Sequence, residues 1–149
     1  MEELVASLRV ALANTFVMYF KVHQFHWNVE GIEFPQYHEF FNELYDDVYG
    51  AVDPLAENLR KLDAYAPISL DEIVKHSTIS EETARVVLIR DMLTALEVAN
   101  QETIESLNKV FDLATANKKQ GLANFVADRL DTHEKHGWML RASIKKVEE

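Results

Sequence analysis

The chain has 149 residues, no cysteine and a formal net charge of −10 with histidine neutral. That length suits one ordinary domain with a real core. The absent cysteine excludes disulfides and thiolate metal sites, and the acidic balance repels nucleic acid unless a basic arm offsets it locally.

No such arm is seen: the chain opens MEELVASL, and the lysines of its closing KKVEE are followed by two glutamates. No apolar run approaches the roughly 20 residues of a membrane span, and no signal-peptide pattern opens the chain. A soluble, cytoplasmic protein is expected, with no membrane partner.

Only four glycines and three prolines punctuate the sequence, which favours long helices over strands and turns. Leu4, Leu8, Leu12, Thr15, Tyr19 and His26 fall on one stripe at helical spacing. Asn28 and Gly31 mark the end of that helix. Pro35 suits a first-turn position and starts the second helix. It carries Tyr37, Phe40, Phe41, Leu44, Tyr45, Val48, Val52, Leu55 and Leu59. Pro54 lies inside it and is expected to remove one backbone hydrogen bond and kink it, with Gly50 easing the bend.

Residues 63–67 read as a loop. Ser69 followed by Glu72 is a capping-box pattern, predicting a short helix over 70–76. Thr78 followed by Glu81 is a second such pattern. It predicts the start of a third long helix with Ala84, Val87, Met92, Leu96, Ala99, Thr103 and Leu107. After a polar turn at 117–121, the fourth helix carries Leu122, Val126, Arg129, His133, Gly137, Leu140 and Ile144. The expectation is an all-α four-helix bundle over residues 1–149, a single domain with a short helix in the crossover between the second and third helices.

A di-iron site inside one bundle uses two Glu-x-x-His motifs, because i and i+3 project from one helix face. This chain has none: Glu134 is followed by Lys135 and His136. Other donors cluster earlier. His26, His38, Asp53 and Glu57 are the imidazole and carboxylate types that suit iron, and Asp53 and Glu57 lie i, i+4 on one helix face. His38 precedes Asp53 by fifteen residues on the same helix, roughly 22 Å at the helical rise, and a kink does not close that gap. Either the cluster is accidental, or a second copy lies antiparallel across a two-fold axis and two histidines of one chain meet two carboxylates of the other.

His26-Trp27-Asn28-Val29-x-Gly31, then Phe34, His38 and Asp53-x-x-x-Glu57, resembles the ferroxidase signature of the Dps family, the mini-ferritins. The run from His133 to Ala142 is similar to that family's last helix, so the resemblance spans nearly the whole chain. It implies a ferritin-like four-helix bundle assembled into a hollow dodecamer built from two-fold dimers, with di-iron sites between subunits. His26 and His38 would come from one chain, Asp53 and Glu57 from its partner. Fe(II) would be oxidised to Fe(III) there, preferentially by hydrogen peroxide, and stored as ferric mineral. Trp27 matches a family tryptophan that takes up stray oxidising equivalents.

Two departures from the pattern stand out. Where the family often has an acidic residue four positions after the second histidine, this chain has Asn42, which brings no negative charge for a second iron. The lysine-rich tail of DNA-binding members is missing, so DNA binding is expected to be weak or absent. Alternative readings are a shell whose weakened site sequesters metal or protects DNA without efficient turnover, and a DNA-compacting protein. Of the remaining polar residues, His23 reads as a surface or interface group with a peripheral ligand role open, and His133 as a hydrogen-bonded core residue. His136 and His76 read as surface groups, Asp46 and Asp47 as a solvated face, with Asp46 able to replace part of the charge missing at Asn42. Asp128 and Asp131 are candidates for lining pores.

Overall fold

The computed structural model describes residues 1–145 and shows helices and no strand among them. The last lysine and the glutamates of the closing KKVEE, used above to discount a basic arm, lie outside the described residues. Six helices follow in order: α1 (Glu2–Asn28), α2 (Phe34–Gly50), α3 (Val52–Lys61), α4 (Leu70–His76), α5 (Ile89–Ala116) and α6 (Gln120–Ile144). α1, the α2–α3 arm, α5 and α6 form the bundle, and α4 lies in the crossover.

The second arm is divided at Ala51, which keeps a helical backbone (φ −82°, ψ −17°). Pro54 therefore falls in the first turn of α3, where a missing amide proton costs little, and the bend sits just before it rather than at it. The short helix forms over the expected residues. Ser69 Oγ accepts from the Glu72 amide at 3.1 Å, while the Glu72 carboxylate accepts from the Ile68 amide rather than from Ser69.

The second capping pattern does not start a helix. Thr78 is engaged by α1: Asn14 Oδ1 accepts from the Thr78 amide and from Ser77 Oγ, both at 2.8 Å, and Asn14 Nδ2 donates to Thr78 Oγ1. Lys21, buried on the same helix, donates to the Ser80 carbonyl at 2.9 Å and to Glu82 at 2.8 Å. Residues 77–88, Ala84 and Val87 among them, lie along α1 without helical structure, and α5 begins only at Ile89. Two buried side chains on α1 outcompete the local capping preference, a tertiary override of propensity.

The core has two apolar halves. Leu4, Leu8, Leu12, Leu55, Leu59, Leu107 and Val126 fill one. Val22, Phe25, Phe41, Val48, Met92, Leu96 and Leu140 fill the other. Each fully buried large side chain stabilises by about 1.5–3 kcal/mol. By length and composition α1 could cross a membrane, contrary to the sequence reading. Since 56% of the qualifying window is buried in the bundle, its apolar character serves the core.

A polar layer separates the halves. His133 is fully buried, its Nδ1 2.9 Å from Asn100 Oδ1 and its Nε2 2.9 Å from Arg129. Arginine can only donate, so His133 is neutral with its proton on Nδ1, the hydrogen-bonded core residue expected. Arg129 also holds Asp47 through two 3.0 Å bonds, and His136 Nε2 reaches the same carboxylate at 2.6 Å. Asp47 and His136 are thus a half-buried ion cluster, not solvated surface groups. Burial alone would raise the Asp47 carboxyl pKa, but hydrogen bonds from His136 and Arg129, with their charges, hold it well below the usual carboxylate range. Arg129 Nε is buried without a partner among the described residues.

Candidate metal centre

α1 and α2 are joined by five residues, and Gly31 makes that possible. Its φ of +113° is a conformation that side-chain-bearing residues rarely adopt, and its carbonyl accepts from the Phe34 amide at 3.0 Å. The first turns of α2 therefore lie against the last turns of α1. His26 and His38 meet with ring centroids 3.8 Å apart and planes inclined by 16°.

Their hydrogen bonds are reciprocal. His26 Nδ1 lies 2.7 Å from the His38 carbonyl oxygen, and His38 Nδ1 lies 2.8 Å from that of His26. A carbonyl only accepts, so both Nδ1 atoms carry protons, and in the neutral rings the lone pair is on Nε2. The His26 carbonyl is in the last turn of α1, where helix carbonyls lack helical partners. The chain termination that sets the turn thus also supplies half of the clamp. Backbone hydrogen bonding at the second ring nitrogen is what fixes a metal-binding imidazole in tautomer and orientation.

Asp53 and Glu57 stand one turn apart on α3, both exposed. The structure brings the two histidines together and the two carboxylates together, but it does not join the pairs. Among the described residues no group of three or more histidine and carboxylate side chains gathers in a way that could hold a metal. Nitrogen and oxygen donors of these types fit Fe(II), so each pair is half of a suitable donor set.

Asn42 is not free. Its Oδ1 accepts from the Tyr45 hydroxyl at 2.9 Å, and its Nδ2 donates to Asp46 at 3.3 Å. Asp46 is exposed and is the carboxylate next to the amide. Trp27 is 57% exposed and packs its ring against His23 at 4.3 Å. His23 stacks on Tyr45 at 3.9 Å, and its Nδ1 lies 2.8 Å from Tyr19 Oη. Burial, then the neighbouring His26, lowers the His23 pKa, with Asp46 opposing; burial, then Tyr49 and Tyr45, raises that of Tyr19. The Tyr19–His23 spacing of four residues was open to reading from sequence, but the place of Tyr45 across the helix pair was not. Asp128 and Asp131 are exposed on α6.

A model of the ferritin-like domain matches residues 5–149. The "DNA protection during starvation protein" of Brevibacillus brevis is 34% identical over 160 aligned positions, covering 97% of each chain. This chain belongs to the Dps proteins of the ferritin-like family. Antigen TpF1 of Treponema pallidum is 35% identical over 139 residues, 93% of this chain and 78% of the relative. The crystal structure of a Vibrio cholerae Dps protein, described as a member of a broad superfamily of ferritin-like diiron-carboxylate proteins, superposes with a TM-score of 0.90 at 29% identity. It covers 97% of this chain and 90% of that one. The all-helical bundle with its crossover helix is thus the Dps fold, and His26 and His38 occupy its first helix pair.

Proposed function

We propose that this Dps protein oxidises Fe(II) and stores the ferric product, at sites completed only when two copies meet. The observation that carries this is the His26–His38 clamp, which leaves both Nε2 atoms for a ligand while no carboxylate among the described residues of the same chain joins them. Asp53 and Glu57 of a second copy, related by a two-fold axis, supply the missing oxygens, and the reciprocal contact makes a second site. The relatives' family supports a hollow homo-oligomer, a dodecamer built from such dimers. Its setting is the cytoplasm, and the whole chain acts as one ferritin-like domain.

Within such a site the histidines bring no charge, and the two carboxylates offset much of the charge of the iron substrate. A pair of Fe(II) ions supplies two electrons together: two Fe(II), one hydrogen peroxide and two protons give two Fe(III) and two waters, with no hydroxyl radical released. The locked tautomers present Nε2, rather than Nδ1, to the iron. Trp27, beside the pair and exposed, is placed to take up equivalents that escape. The charge of −10 per chain attracts the cation and disfavours DNA, so DNA binding is weak or absent.

Stopped-flow mixing of Fe(II) with hydrogen peroxide tests this reading. Fast oxidation above the buffer rate is expected, and none would end the enzymatic proposal. A second reading is favoured by Asn42, whose amide is engaged at both ends and adds no charge for a second iron: a shell that sequesters metal or protects DNA with little turnover. Iron retained by the shell without accelerated oxidation would select it.

A further inference from the structure

Three polar side chains of α1 reach the crossover, and they stand seven residues apart: Asn14, Lys21 and Asn28. Seven residues are about 20° short of two helical turns, so the three fall on one line along α1. Asn14 takes Ser77 and Thr78, and Lys21 takes Ser80 and Glu82. Arg85 Nη1 donates to Asn28 Oδ1 at 3.0 Å. The fourteen residues from Asn14 to Asn28 rise roughly 21 Å, and the seven from Thr78 to Arg85 span roughly 25 Å at most. The crossover is therefore a strap laid parallel to α1 with little slack. No backbone–backbone hydrogen bond involves residues 78–87 among the described residues. The strap is held by the side chains of α1 and by Ile79 and Val86, which pack into the apolar half that contains Phe25 and Phe41.

The last of the three clips lies beside the histidine pair. Asn28 is the final residue of α1, two positions after His26. Its side chain folds back along the helix, with Nδ2 donating to the Gln24 carbonyl at 2.8 Å. A guanidinium only donates, so Arg85 fixes the amide with its oxygen toward the strap and its nitrogen toward the helix. The chain then leaves the helical path at Val29 (φ −63°, ψ 140°). In a helix continued by one more turn, the His26 carbonyl would accept from the Glu30 amide. Here it is left for His38 Nδ1, 2.8 Å away. Asparagine is one of the few residues that readily enters the left-handed conformation at a helix end. Released from Arg85, Asn28 would be free to turn the chain one residue early and to carry the His26 carbonyl with it.

We propose that Arg85, acting through Asn28, is a positioning residue for the His26–His38 pair. This rests on the reading of those histidines as iron ligands. The strap sets where α1 ends, and the end of α1 supplies the carbonyl that orients the His38 ring. Arg85 is exposed, and Ile79 and Val86 keep the strap seated when its side chain is shortened, so the effect of removing it is local to the end of α1.

The test uses the assembled full-length chain, with two readouts on Arg85→Ala, Arg85→Lys, Asn28→Ala and the Arg85→Ala/Asn28→Ala double variant. The first is hydrogen exchange without metal, read by mass spectrometry. Exchange over residues 24–30 is expected to quicken severalfold in Arg85→Ala and to return toward wild type in Arg85→Lys, while residues 92–110 exchange as before. The second is anaerobic titration with Co(II), a redox-stable stand-in for Fe(II) followed by its visible absorption. Affinity is expected to weaken about two- to fivefold in Arg85→Ala, the scale of one hydrogen bond, with partial rescue in Arg85→Lys. The double variant is expected to match Asn28→Ala in both readouts. Unchanged exchange over 24–30 overturns the proposal, as does unchanged Co(II) affinity beside faster exchange. A double variant weaker than Asn28→Ala by the full Arg85→Ala factor overturns it too, because the guanidinium charge would then act without Asn28. Failure of the underlying reading shows separately, as a His38→Ala shell that binds Co(II) like wild type.

Discussion

His133 offers a direct test of the polar layer through pH. Burial, and then the positive charge of Arg129 and the neighbouring His136, push its pKa from 6.5 down to about 3, with Asp47 opposing. In the unfolded chain His133 takes up a proton near pH 6.5; in the folded chain it stays neutral until about pH 3. The folded state therefore binds fewer protons over that window. Its contribution is complete above pH 6.5 and is lost progressively as pH falls, at about 1.4 kcal/mol per pH unit. From pH 6.5 to about pH 5 the loss is about 2 kcal/mol. Asp47, with its lowered pKa, adds to the loss only when pH falls below its unfolded value near 3.8, so the two groups separate on the pH axis. The assay is urea unfolding at fixed protomer concentration across this range, with His133→Gln beside wild type. Glutamine can accept from Arg129 and donate to Asn100 without titrating. It should cost about 1–3 kcal/mol at neutral pH, yet flatten the pH dependence by about 2 kcal/mol. Parallel curves for the two proteins would falsify the neutral, buried His133 described above.

The shared-site proposal predicts that His38→Ala chains mixed with Asp53→Ala chains and reassembled regain part of the oxidation rate each lacks alone, because a heterodimer has one site with all four donors; mixtures that assemble but never exceed their parents sink it. Gly31→Ala should destabilise by about 1–3 kcal/mol through backbone strain, since no neighbouring atom lies within 4 Å of an added Cβ. An unchanged melting temperature and unchanged Fe(II) oxidation would show that the turn does not set the histidine clamp. Asn42→Asp should raise Fe(II) affinity at the second position, seen as a higher binding stoichiometry in calorimetry without oxidant; identical isotherms argue that Asn42 has no part in binding. Asn14→Ala removes the partner of Ser77 and Thr78 and should cost about 1–3 kcal/mol, with faster proteolysis in residues 77–88; equal cleavage rates would place the anchoring of the crossover elsewhere.

The periodic stripes of α1, α5 and α6 and the Ser69 cap were legible because each depends on neighbours in sequence. The start of α5 was not, because Thr78 and Glu82 answer to Asn14 and Lys21 some sixty positions away. The same division runs through the site. Donor types and the separation of His38 from Asp53 followed from composition and helical rise. The locking of both Nδ1 atoms did not, because it depends on two carbonyls meeting across a turn. Asp47 and His136 were misread for a related reason. Each looks like a surface residue on its own helix, and only the approach of α2 to α6 buries them against Arg129.

That approach bears on the proposed iron site. The side-chain hydrogen bonds joining α2 to α6 among the described residues all end on Asp47. Asp47 lies nine residues after His38 on the same helix, so holding its carboxylate adds a polar anchor to the buried Tyr37, Phe41, Leu44 and Val48 that set the rotation of α2 about its axis. A helix turns 100° per residue, and His38 needs its carbonyl and its ring nitrogen both aimed at α1. A rotation of a few tens of degrees would carry both away. The acidic residue on α2 that a reading of the site would pass over as solvated thus helps to index the helix, with Arg129 as its fixed charge and His136 as a second donor. The proposed iron ligands can then remain at the surface, where a second copy would reach them, while a charge cluster in the middle of the bundle helps to hold the helix that carries His38.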